Sequence, residues 1–353
     1  DASGLSRSRV EKRLAGKMRS SILFLGALLA RCGKAELALP GGCPLGERPI
    51  DLHVKSLAKL GARFRFEKGI LQAAWRERRD GDIFLSIPSV GATENLLLAC
   101  ALGSGTVTLH GAAREPEITD LIGFLRAAGA DIRGAGTSEL TICGAHKLHG
   151  ATYTILPDRI ETATYLCMAA GCGGEVELQR CDGRLLAPVI GCLREAGCEI
   201  RSVGSEIALK SSGKLTAVSP VTTAPYPGFP TDAQALLMAA LLRAKGESVF
   251  RETVFERRFL HVPELQKLGA DIVLSGKTAR VRGVAHLHGA MLRAEDLRGA
   301  AALITAGLLA EGESEVLGLS HLARGYENLE QNLKNLGAAI KSVDIPAPFV
   351  YNT

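Results

Sequence analysis

Aromatic residues are scarce. They make up 5% of the 353 residues, with one Trp, against 40 Gly. So few rings leave the interior to small aliphatic side chains, and so much glycine implies many tight turns. Long apolar runs are missing too. Ser21–Ala30 and Ala235–Leu242, among the most apolar stretches, fall well short of the ~18 residues a membrane-spanning helix needs, so no membrane insertion is expected. The first 20 residues are basic and lack an apolar core, so no signal peptide is expected. The nine Cys are odd in number and contain no C-x-x-C, which argues against a disulfide scaffold or zinc site and for a reducing, cytoplasmic setting. Neither GxGxxG nor a Walker loop occurs, so neither a nicotinamide cofactor nor ATP is indicated. Excess positive charge is small: 42 Lys and Arg against 37 Asp and Glu. That is too mild for a dedicated nucleic-acid binder and suits an anionic small substrate.

What the chain does have is a repeat. A helical segment ending in glycine and a small residue recurs five times: LAKLGARF, LRAAGADI, LREAGCEI, LQKLGADI and LKNLGAAI. Its glycines, Gly61, Gly129, Gly197, Gly269 and Gly337, are 68, 68, 72 and 68 residues apart. Each fits the left-handed position that follows a helix. Every beat also carries an Ala/Leu-rich helix, apolar nearly all round and so expected to be buried, followed by a short alternating strand. The unit therefore reads as strand, buried helix, strand, second helix, strand. The chain begins about where the first buried helix begins, so the first unit is expected to lack its opening strands. Five beats, where threefold arrangements come in threes, suggest that one of six is largely missing. Residues 344–353 have no place in the repeat and read as a frayed or extraneous tail.

Polar residues gather where the buried helices begin: Lys17 and Arg19; Ser89, Val90 and Gly91; Asp158 and Arg159; Thr231 and Asp232; Asp296 and Arg298. Ser, Thr and Asp there can cap free N–H groups. Arg at a helix start opposes the macrodipole, so several such arginines beside free N–H groups point to an anion site for phosphate or carboxylate. The segment LPGGCPLGERPIDLH (39–53) sets Cys43 in a Gly/Pro turn expected to be mobile. A free thiol there could act as general acid, or as its thiolate become a nucleophile. Arg48, fixed by Pro49, could fork onto phosphate or carboxylate, and Asp51 could accept hydrogen bonds from a heterocycle or sugar. The other eight Cys read as packing residues. His286-x-His288 could chelate a metal, but the same LHGA phrase recurs at 148–151, so it reads as a repeat turn and no metal is expected.

PGGC-x-x-G-x-RP-x-DLH, PSVGATEN (88–95), AAREPEI (112–118), LPDRIET (156–162), FPTDAQA (229–235), ETVFERRFLHVPEL (252–265) and ARGYENLE (323–330) occur in order. Together, from about Lys17 to Val343, they closely resemble the UDP-N-acetylglucosamine enolpyruvyl transferases, which catalyse the first committed step of peptidoglycan precursor synthesis. The resemblance implies an inside-out α/β barrel of two domains built from ββαβαβ-like units, here 1–156 (incomplete, with the Cys43 loop) and 157–343. It places the substrates between the domains under a lid bearing Cys43.

It also implies a reaction: the sugar 3-hydroxyl attacks C2 of phosphoenolpyruvate, and phosphate then leaves. Cys43 matches the catalytic Cys that protonates the methylene carbon and can form a covalent adduct, and so the target of fosfomycin-like epoxides. Asp232 matches the proposed base. Arg19, Arg48, Arg298 and Arg324 match arginines around the anionic substrates. The stretch from Arg48 through Pro49, Ile50 and Asp51 to Leu52 matches the uridine-holding segment, Ser89, Val90 and Gly91 the diphosphate site, and Val254 a position lining the sugar-nucleotide site. No metal or organic cofactor is implied. Two departures stand out: the family's N-terminal Lys-Asn pair is not in this sequence, and Ile87 replaces a Lys that some members carry. The shikimate-pathway enolpyruvyl transferase shares the architecture but lacks the Cys loop. The alternative is a catalytically impaired fragment or non-catalytic paralogue that still binds the sugar nucleotide.

Overall fold

The computed structural model describes residues 4–5, 7–16, 18–41, 45 and 49–343. The chain divides into two compact units. One comprises Asp1–Asp158, Thr222–Thr231 and Glu252–Arg257; the other Arg159–Val221, Asp232–Arg251 and Arg258–Thr353.

The beat from Gly81 to Cys143 shows the repeat. Strand Gly81–Phe84 leads to helix Val90–Cys100, strand Thr106–His110 and helix Pro116–Ala127, then to strands Asp131–Arg133 and Glu139–Cys143. Thr106–His110 pairs parallel to Gly81–Phe84 and antiparallel to Glu139–Cys143, which pairs antiparallel to Asp131–Arg133. The unit thus ends in a hairpin rather than the single strand the sequence suggested. Asp131–Arg133 is too short for its alternation to be read, and Gly134 and Gly136, at φ +84° and +81°, make the turn. Among the described residues the sheets have two to four strands and stay open, so the expected barrel is a set of open sheets with helices buried within.

The first beat departs from expectation in another way. It does have an opening strand: Arg9–Val10 pairs parallel to Lys34–Ala38. Two residues carry no periodicity, which is why the sequence hid it. Strands Arg63–Glu67 and Ile70–Ala74 complete that sheet.

All five repeat glycines have positive φ, between 92° and 104°. At each, the residue after the glycine donates its N–H to the carbonyl five positions back: Ala62 to Leu57, Ala130 to Leu125, Cys198 to Leu193, Ala270 to Leu265 and Ala338 to Leu333. This double-bonded ending satisfies carbonyls left open at the helix end, and only glycine enters that conformation without strain.

The Ala/Leu-rich helices are buried as expected. In the first unit, Phe24–Cys32 lies so close to Val90–Cys100 that a Cβ on Gly26 would sit 2.2 Å from the Asn95 carbonyl oxygen. In the second unit, Arg159–Cys172, Thr231–Ala240 and Leu297–Leu309 are buried along most of their length. Small residues permit this: a Cβ on Gly171 would lie 3.2 Å from the Ala240 Cα. Ala235, Ala239 and Ala302 form a cluster of their own. Cys100, Cys167, Cys181 and Cys198 are buried in such surroundings, and Cys32, Cys143 and Cys192 partly so. Cys172 is exposed at its helix end, so the packing role expected of it does not hold. Among the described residues no helix is long and apolar enough to cross a membrane.

Candidate functional site

In the first unit, helix Val90–Cys100 begins on Ser89, whose Oγ accepts the Ala92 N–H at 3.3 Å. One turn in, Asn95 is fully buried and makes three contacts. Its Oδ1 accepts the Gly26 N–H at 2.6 Å, and its Nδ2 faces the Ile22 carbonyl at 3.0 Å and His53 Nδ1 at 2.9 Å. Because Oδ1 is the acceptor for Gly26, Nδ2 must be the donor to His53. His53 Nδ1 is therefore unprotonated and the ring neutral. Burial pushes the pKa of His53 down to about 4, and the Arg19 charge pushes the same way. A Cβ on Gly91 would lie 3.3 Å from the His53 ring, so any other residue at this helix start would need the ring to give by a few tenths of an ångström.

Arg19 Nη2 donates to the Pro49 carbonyl at 3.2 Å, which holds a cation over the start of helix Asp51–Lys59. Asp51 accepts from Lys55 at 3.0 Å, which lowers its pKa. Arg19, the Pro49–Leu52 segment, His53 and Gly91 are thus brought into one neighbourhood. Near Ser89 lies an unusual carboxyl. Burial, reinforced by Glu117 and Glu115, raises the pKa of Glu94 to about 7.

Val254 is exposed on a loop organised by Glu252, which is 2% exposed. Glu252 Oε1 accepts the N–H groups of Val254 and Phe255 at 2.7 and 3.0 Å, and Oε2 accepts the Thr231 hydroxyl at 2.9 Å. Cys43 and Arg48 lie outside the described residues, as does Lys17. The chain on either side of Cys43 is anchored: Gly41 donates to the Ala15 carbonyl and Leu45 accepts from Arg257 N–H.

In the second unit the starts of three buried helices bear charge. Asp296 caps Leu297–Leu309 by accepting the Arg298 and Gly299 N–H groups, both at 3.0 Å. Asp232, in the first turn of Thr231–Ala240, accepts from the Arg258 guanidinium. Arg258 is 2% exposed and also lies 4.0 Å from Asp296. Arg298 donates to the Tyr326 hydroxyl at 3.0 Å. Thr164 donates to the Ile160 carbonyl at 2.8 Å, so at 2.9 Å Tyr326 is the donor to Thr164. The chain Arg298, Tyr326, Thr164, Ile160 locks the guanidinium in place.

Burial raises the proton affinity of Asp232, but the charges of Arg258, Arg298 and Arg159 outweigh it, and the carboxyl stays below its ordinary range. The result is an ionised carboxylate amid three guanidiniums. Such a site can bind an anion and hold a proton acceptor beside it. Arg324 is exposed and makes no ion pair among the described residues. It precedes Gly325, where a Cβ would lie 3.6 Å from Arg298 Nη1.

Arg258, Glu252, Asn95 and Glu94 were not singled out from the sequence; His53 was, as the His that could fold back toward Cys43. For Arg258 a signal was available: it stands in the ETVFERRFLHVPEL motif (252–265), directly before the apolar pair Phe259 and Leu260. Among the described residues no group of three or more His, Cys, Asp or Glu is placed to hold a metal. His286 Nδ1 is instead 2.6 Å from Glu311 Oε1.

Residues 2–333 match the EPSP synthase (3-phosphoshikimate 1-carboxyvinyltransferase) family. A UDP-N-acetylglucosamine 1-carboxyvinyltransferase of Novosphingobium aromaticivorans is 50% identical over 332 residues, 94% of this chain and 78% of the relative. That of Solidesulfovibrio magneticus is 49% identical over 324 residues, 92% of this chain and 78% of the relative. Among solved structures, the enolpyruvyl transferase NikO from Streptomyces tendae superposes with a TM-score of 0.87 at 30% identity, covering 97% of this chain and 81% of that one. An EPSP synthase from Acinetobacter baumannii gives 0.67 at 19% identity, over 90% of this chain and 77% of that one, a likeness of fold alone. The chain belongs to the EPSP synthase family of enolpyruvyl transferases and, within it, to the UDP-N-acetylglucosamine 1-carboxyvinyltransferases.

Proposed function

We propose that this chain transfers the enolpyruvyl group of phosphoenolpyruvate to the 3-hydroxyl of UDP-N-acetylglucosamine and releases phosphate, acting in the cytoplasm in peptidoglycan precursor synthesis. The observation that carries this choice of acceptor is the 50% identity to an enzyme named for the sugar nucleotide, against 19% to an EPSP synthase.

Asp232 takes the proton of the 3-hydroxyl as its oxygen bonds to C2, and the Cys43 thiol delivers a proton to the methylene carbon. The tetrahedral adduct then loses a proton from that methyl carbon back to the Cys43 thiolate while the bond from C2 to the phosphate oxygen breaks, and the proton held by Asp232 leaves with the phosphate. Arg258, Arg298 and Arg324 meet the phosphate and carboxylate of phosphoenolpyruvate. In the free protein the first two hold Asp232 ionised. Once they share their charge with a bound phosphate their pull on Asp232 weakens, and its proton affinity rises when a base is needed. Arg19, Arg48 and the Pro49–Leu52 segment hold the uridine end, Ser89–Gly91 the diphosphate, and Val254 the nucleotide wall.

The test is phosphate release from phosphoenolpyruvate with UDP-N-acetylglucosamine or shikimate 3-phosphate as acceptor. Release with the sugar nucleotide alone is expected. Release only with shikimate 3-phosphate, or with neither from folded protein, overturns the proposal.

A further inference from the structure

A cavity of about 750 Å³ opens in the first unit, and none of its lining residues is among the site residues described above. It is formed where the segment Trp75–Asp80 runs past Gly61 and Ser104–Gly105. Four arginines line it: Arg63, Arg76, Arg78 and Arg79, against Glu77 and Asp80.

Arg78 is structural. It donates to the carbonyls of Cys100 at 2.6 Å and Gly105 at 3.1 Å, and to that of Ser104, and so fastens the segment to the end of helix Val90–Cys100. Trp75 borders it, with its indole packed partly buried against the core and its N–H donating to the Leu29 carbonyl at 2.8 Å. Arg79 lies over Gly61, where a Cβ would meet its Cγ at 3.4 Å. Among the described residues Arg63, Arg76 and Arg79 make no ion pair and no side-chain hydrogen bond, although Glu77 and Asp80 are adjacent in sequence. Four guanidiniums against two carboxylates leave the concavity with net positive charge, and an anion that bridges the arginines offsets it.

We propose that this cavity is a second ligand site, for a compact oligophosphate. The guanidinium fork matches phosphate geometry, and three such forks ask for more than one phosphate. The volume falls in the range of roughly 300–1,000 Å³ usual for small-molecule sites, too small for an extended polymer.

Trp75 is the chain's single tryptophan. Its fluorescence therefore reports the site, and titration calorimetry serves as a second readout. The protein is titrated with inorganic tripolyphosphate and with a nucleoside triphosphate, each with and without saturating UDP-N-acetylglucosamine. Saturable binding that survives the sugar nucleotide is expected. It should weaken at least tenfold in Arg76→Ala/Arg79→Ala, whose enzymatic turnover stays at the wild-type level. Equal affinity for the two probes means that phosphate alone is read; tighter binding of the nucleotide means that its nucleoside is read as well; either result supports the site. The proposal fails if both readouts are silent up to ~1 mM probe, the weak end of specific recognition. It fails equally if UDP-N-acetylglucosamine displaces the probes, or if the double variant binds as wild type does.

Discussion

Asn95→Ala tests the interior of the first unit. The side chain is fully buried and serves three groups that have no other route to water: the Gly26 N–H near the start of one buried helix, the Ile22 carbonyl before it, and His53 Nδ1. A buried partner left unsatisfied costs roughly 1–3 kcal/mol, so three cost between about 3 and 9 kcal/mol, with relaxation favouring the lower end. The helices meet too closely at Gly26 for water to enter freely, so the expected loss is about 4 kcal/mol, a large share of a typical domain's stability. Urea unfolding followed by circular dichroism measures it. Asn95→Asp supplies a control with the same shape: it still accepts from Gly26 but sets a carboxylate beside the ring. Imidazole NMR should then show the His53 pKa well above the value of about 4 it has in the wild type. A loss under about 1 kcal/mol in Asn95→Ala, or a wild-type His53 that titrates near its ordinary 6.5, would refute the reasoning.

Glu94 and His53 give opposite pH slopes. With a folded pKa of about 7 against 4.5, Glu94 costs the native state progressively more as pH rises between those values. His53, depressed from 6.5 to about 4, contributes stability that is present above 6.5 and lost as pH falls between those values. Glu94→Gln should therefore match wild type near about pH 4.5 and exceed it by up to ~3 kcal/mol near pH 8, at about 1.4 kcal/mol per tenfold change in proton affinity. A pH-independent difference in urea midpoints sinks this assignment. Asp232→Asn should leave sugar-nucleotide affinity within about tenfold, ~1.4 kcal/mol by calorimetry, while removing most turnover; wild-type turnover counts against the base. Cys43 should be the cysteine alkylated by a fosfomycin-like epoxide, read by peptide mass spectrometry. An unmodified Cys43, under conditions that label a known relative, excludes that role.

Local order was legible, and the polar wiring was not. The buried helices, the strands after them and the five left-handed glycines obey rules that act within a few residues, so the chain spells them out. The hairpin strand Asp131–Arg133 and the opening strand Arg9–Val10 are too short to show a period. Asn95 reaches Gly26 across 69 residues, and Arg258 reaches Asp232 across 26, with nothing local to announce either pairing. The same geometry explains why Asp232 could be named from a motif while its chemistry could not. A carboxylate's proton affinity is set by the charges around it, and here those come from Arg159, Arg258 and Arg298, on three separate stretches of chain. A single stretch of sequence can supply the acid. Only the fold, by gathering three helix starts and the turn that bears Arg258, decides that it rests ionised and that an arriving anion is what would change it.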